Sequence, residues 1–85
     1  MTGEEMLHQA AQAVEERRKT YGDPIPHVEA LAKRWSIRLG HEVTPAQVVL
    51  CMIDLKTTRL DHDPKHRDSI IDVAGWAAVL QEIVK

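Results

Sequence analysis

Apolar residues recur along this chain at intervals of three and four, the spacing that lines one face of an α-helix, and polar punctuation divides them into four segments. In the first, Leu7, Ala10, Ala11 and Val14 share a face. Thr2 followed by Glu5 has the form of a capping box, in which each side chain satisfies a free backbone N–H at a helix start. Glu15 and Lys19 are spaced to pair across one turn on the other face. The run Tyr21-Gly22-Asp23-Pro24 joins a residue tolerant of positive φ to a proline that disfavours helix before it, so the first helix is expected to end there.

Val28, Leu31, Ala32, Trp35 and Leu39 repeat the pattern and predict a second helix over 25–39, with Gly40 as its stop. Thr44-Pro45-Ala46-Gln47 supplies a cap residue, a proline at the first helical position and a capping-box glutamine, which predicts a third helix over 45–61. Its run Val48-Val49-Leu50-Cys51-Met52-Ile53 covers all sides of the cylinder, as a central helix would, and Cys51 reads there as a small core residue. Asp63-Pro64 repeats the cap-plus-proline signal, and a fourth helix, apolar nearly all round, carries Ile70 to Val84. No strand-like alternation or repeat interrupts the series. The expected fold is all-α, an antiparallel four-helix arrangement in one domain over residues 1–85.

Length changes this picture. A chain of 85 residues buries only roughly 60% of its unfolded surface. Two helices apolar on most faces exceed what one small bundle covers, so the surplus is expected to be buried by homo-oligomerisation, with a homodimer favoured. Composition is that of an ordinary globular protein, 44% hydrophobic and 28% charged. The net charge of -2 gives no general pull toward nucleic acid or anionic lipid. No segment approaches the roughly 18 uninterrupted apolar residues of a membrane span, and Met1 to Glu5 lack a basic or apolar leader pattern. The expected location is therefore the cytoplasm.

Candidate chemistry lies in the third and fourth helices. Lys56 and Arg59 sit three apart on one face, while Asp68 and Asp72 sit four apart, Asp72 between Ile71 and Val73. A buried carboxylate without a partner costs several kcal/mol or takes up a proton, so Asp72 is expected to face a cation, a metal or a donor. Two readings follow. Lys56 and Arg59 pair with Asp68 and Asp72 and fix helix register, or the cations hold phosphate while the carboxylates hold Mg2+. Arg17-Arg18-Lys19 leading into Tyr21, Gly22 and Asp23 offers either a solvated face or a phosphate clamp with an aromatic wall. Gly75, in mid-helix, suggests a close approach by a helix or ligand. His62 and His66 lack the further ligands that zinc needs. No nucleophile triad, CxxC, P-loop or dinucleotide fingerprint is present.

The order Arg18-x-x-Tyr21-Gly22-Asp23, Lys56-x-x-Arg59 and Asp68-x-x-x-Asp72-x-x-x-Trp76 resembles a group of small proteins encoded by bacteriophages and prophages. It also resembles a broader phage domain family associated with nucleotide modification. The resemblance implies an all-helical fold, host-cell cytoplasm and a link to nucleotide metabolism. The layout is more distantly similar to the all-α nucleoside triphosphate pyrophosphohydrolases, oligomers that hold Mg2+ on carboxylates from two helices. This chain lacks a Glu-Glu-x-x-Glu cluster, so Asp68 and Asp72 make at most half such a metal site. Together these readings predict a nucleotide or phosphorylated ligand held near Arg18, Tyr21, Lys56, Arg59, Asp68 and Asp72, without turnover. The alternative is a non-enzymatic module that binds a host or phage protein, its charged residues being structural.

Overall fold

The computed structural model describes residues 1–85 as four helices with no strands: α1 over Gly3–Tyr21, α2 over Pro24–Leu39, α3 over Pro45–His62 and α4 over Arg67–Val84. Local chemistry sets their limits. Thr2 Oγ1 accepts from the Glu5 N–H at 3.2 Å while Glu5 reaches back to the Thr2 N–H, and Thr44 with Gln47 repeats the exchange at the start of α3. Lys19 and Glu15 pair at 3.4 Å. α1 ends at Gly22 with φ 83°, α2 at Gly40 with φ 77°, both backbone conformations that other residues adopt only with strain.

The start of α4 departs from expectation. Asp63 does not cap it; Asp63 receives the Lys65 N–H on its side chain in a turn, and its own N–H closes α3 on Arg59 O. His66 is the cap instead, its Nδ1 lying 3.3 Å from the Ser69 N–H and 2.7 Å from the Ser69 hydroxyl. The proline after Asp63 therefore marks a turn between helices, and α4 begins three residues beyond it.

Val28 and Ala32 of α2, Val48 and Val49 of α3 and Val79 of α4 form the buried core, with Leu31, Trp35, Ile53, Trp76 and Leu80 packed around them. Ser36 ties the α2–α3 loop to this core: its hydroxyl accepts from the Val43 N–H at 2.8 Å and lies 2.7 Å from the Ala32 carbonyl. The third helix is not enclosed on all sides. Val48 and Val49 are fully buried, whereas Leu50 and Leu55 are about half exposed and Cys51, expected inside, is exposed. Successive residues step 100° around a helix, and the neighbours of α3 cover only the arc centred on its two valines.

α1 stands apart from this core. Its single buried residue is Ala10, and it packs chiefly on α4. Gln9 meets Arg67, Val14 lies over Gly75, and Arg18 meets Glu82, so the contacts climb both helices together. α1 and α4 therefore run in the same general sense, and the expected antiparallel order does not extend to this pair. The cause lies at Gly22, whose ψ of -166° sends the chain away in an extended path rather than folding α2 back along α1. No helix is long and apolar enough to cross a membrane.

Candidate functional site

Because α2 leaves the end of α1 without packing along it, a cleft of about 520 Å³ opens where α1, the Gly22 turn, the start of α2 and the middle of α4 meet. Its floor is apolar, made by Val14, Gly75, Trp76 and Val79. Gly75 has no side chain to fill this floor. A Cβ there would stand 3.6 Å from Val14 Cγ2 and 3.9 Å from Arg17 Nη1, so the glycine marks where α1 and α4 meet but is not sterically obligatory. Arg17, Arg18, Tyr21, Asp23 and His27 form the polar rim. The volume lies within the range of small-molecule sites, which combine an apolar lining with a few placed polar groups.

Two carboxylates of α4 position the two guanidinium groups. Arg18 Nη2 lies 2.5 Å from Glu82 Oε2 and 2.6 Å from Oε1, a two-pronged contact on one nitrogen. The hydrogen bond that Arg18 donates to Glu82 raises the Arg18 pKa further above its already basic value, so this group is a permanent cation. Arg17 Nη2 lies 2.9 Å from Asp72 Oδ1, and Lys56 Nζ of α3 lies 3.1 Å from Asp72 Oδ2. Asp72 thus joins three helices. Its partial burial pushes the carboxyl pKa up, but hydrogen bonds and charge from Arg17 and Lys56 outweigh this and hold it below the ordinary value of 3.8.

The residues anticipated from sequence separate into three groups. Arg18 and Tyr21 line the cleft. Lys56 and Asp72 pair as the register reading expected, although the second cation on Asp72 is Arg17 of α1 rather than Arg59. Arg59 and Asp68 are exposed and make no ion pair, so the six-residue constellation does not come together. No three His, Cys, Asp or Glu side chains converge in a way that could hold a metal ion. With each Asp72 oxygen facing a cation, this donor set fits an ion-pair junction and does not fit a Mg2+ site. His27, Trp76 and Glu82 were missed as site residues. Only Trp76 carried a signal, through its place four residues after Asp72.

The chain is 36% identical over 69 residues to the Gene 55 protein of Mycobacterium phage L5, covering 80% of this chain and 44% of that protein. It is 33% identical over 81 residues to the Gene 55 protein of Mycobacterium phage D29, covering 94% of this chain and 54% of that protein. The chain spans about half the length of these curated relatives. No solved structure matches it. Residues 5–84, nearly the whole chain, match the family described as a domain of unknown function, DUF6378, and the chain belongs to that family.

Proposed function

We propose that this protein binds a nucleotide or a similar phosphorylated ring compound in the α1–α2–α4 cleft, without turning it over. One observation carries the reading: the cleft sets two guanidinium groups, Arg17 and Arg18, beside two aromatic rings, Tyr21 and Trp76, over an apolar floor. Guanidinium groups match phosphate oxygens in geometry and charge, and aromatic faces take a base by stacking. Absence of turnover follows from the carboxylates. Asp72 and Glu82 are both neutralised by cations, and Asp23, the carboxylate on the cleft rim, caps α2 by accepting from the Ile25 N–H at 3.0 Å, so no group of acids converges to hold a metal that would activate water.

Thermal-shift measurements with nucleoside mono-, di- and triphosphates test this, because a ligand that binds the native state raises its melting temperature. The shift is expected with and without Mg2+. Tyr21→Ala, at a position 83% exposed, should leave the unliganded melting temperature unchanged and reduce the shift from nucleotides more than that from inorganic pyrophosphate. Saturating nucleotide with no shift would favour the rival reading, a protein-binding module.

A second copy of the chain is proposed as its partner. The exposed surface of 6213 Å² is roughly a fifth larger than the about 5,100 Å² expected of a compact monomer of this mass. The radius of gyration, 13.7 Å, likewise exceeds the roughly 12 Å of a compact domain of this length. The excess, roughly 1,100 Å², is more than the about 800 Å² that each partner gives to a standard interface. Light scattering at tens of micromolar is expected to give twice the chain mass; the mass of one chain would remove this part of the proposal.

A further inference from the structure

We infer that Arg17 is an exchangeable cation, shared between Asp72 in the empty cleft and the anionic ligand in the filled one, and that Lys56 makes the exchange possible. The inference rests on the cleft being the binding site, and it assigns a role to two residues outside its floor.

Arg17, Lys56 and Asp72 form a three-member junction with one net positive charge, whereas Arg18 and Glu82 are balanced. The two cations on Asp72 are not equivalent. Lys56 is nearly as enclosed as the carboxylate it meets, with side-chain exposures of 15% and 16%, and it does not line the cleft. Arg17 is 55% exposed, lines the cleft, and passes its guanidinium over Gly75, with Nη1 3.9 Å from where a Cβ would stand. Its Nη2 holds one carboxylate oxygen, while its remaining N–H groups make no hydrogen bond within the protein. A planar fork with unused donors above an open floor can turn toward an anion by rotating about its side-chain bonds.

What would oppose that turn is the loss of the Asp72 contact, since a half-buried carboxylate left alone is strongly disfavoured. Lys56 removes the difficulty. Asp72 keeps a partner at 3.1 Å when Arg17 leaves, so the junction falls from three members to a neutral pair and the positive charge moves to the ligand. Arg18 is held differently: it contacts both oxygens of Glu82, which has no second cation, so turning away would break two hydrogen bonds at once. Arg18 is then the fixed wall, and Arg17 the group that answers to ligand charge.

Two variants outside the cleft lining should shift affinity in opposite directions. In Asp72→Asn the competing charge is gone and Arg17 is free for the ligand, so ADP and inorganic pyrophosphate should bind about five- to tenfold more tightly. In Lys56→Met, Asp72 depends on Arg17 alone, and the same probes should bind about tenfold more weakly. Calorimetric titration at low temperature, with helical content checked by circular dichroism, reads both on folded protein. Lys56→Met removes a cation, so bulk electrostatics alone also predict weaker binding; the Arg59→Met control removes an exposed, unpaired α3 cation and should leave affinity within about twofold. If wild-type protein binds neither probe at millimolar concentration, the cleft reading and the exchange both fall. If wild type binds and Asp72→Asn and Lys56→Met leave the affinity unchanged or shift it in the same direction, the cleft stands and the exchange is overturned.

Discussion

Asp72→Asn is expected to lower folding stability by about 2–3 kcal/mol at neutral pH, below the range for a fully buried pair because part of the junction reaches water. The side chain left behind decides the cost. Arg17 can turn to solvent, but Lys56 keeps its charge at 15% exposure with no other acid paired to it. The acid limb provides a second reading of the same group. The folded Asp72 carboxyl lies below its ordinary value of 3.8, so its contribution is fully present above that value and is lost as pH falls through it toward the lower folded value. Urea denaturation of wild type should therefore weaken below about pH 4 by more than that of Asp72→Asn, and the two curves should converge in acid. A neutral-pH difference under about 0.5 kcal/mol would show that the junction is solvated enough to be dispensable.

Val49→Ala is expected to cost about 2 kcal/mol, from the lost burial of two methyl groups and the cavity they leave beside Val28, Ala32 and Val79. Leu50→Ala, at the next position, removes a larger side chain but one 48% exposed, and should cost under about 1 kcal/mol. Denaturant midpoints with unchanged slopes would measure both. Equal costs would mean that the outer side of α3 is covered in solution, as a second copy seated there would cover it.

That contrast shows where the sequence is legible and where it stops. Caps and stops are local chemistry within four residues, so the Thr2 and Thr44 boxes and the glycines at 22 and 40 were readable, and α2 and α3 fall within one residue of their expected limits. The α4 cap was not, because Asp63-Pro64 carries the common signal while His66 caps through a ring nitrogen. Burial around α3 was legible only in part: that one small bundle could not cover its apolar run followed from chain length, but which side stays uncovered did not, and Cys51, expected in the core, lies on that side. Lys56 with Asp72 could be anticipated from helices joined by a short turn, but Arg17 lies 55 residues from Asp72 and no local pattern foretells their meeting. The cleft itself depends on the direction taken at Gly22, a property of the assembled fold.

The way α1 is held has a dynamic consequence. The other three helices share a valine core, whereas α1 is fastened by Ala10 and Val14 and by three polar links, Gln9 to Arg67, Arg17 to Asp72 and Arg18 to Glu82. Surface ion pairs contribute little each and weaken with salt, so α1 is expected to be the least protected part of the fold in amide hydrogen exchange, opening while the core stays folded. Four rim and floor residues of the cleft, Val14, Arg17, Arg18 and Tyr21, travel with it. Site and helix therefore share one equilibrium. A molecule that fills the cleft should hold α1 in place, and rising ionic strength should loosen α1, and the cleft with it, before it unfolds the protein.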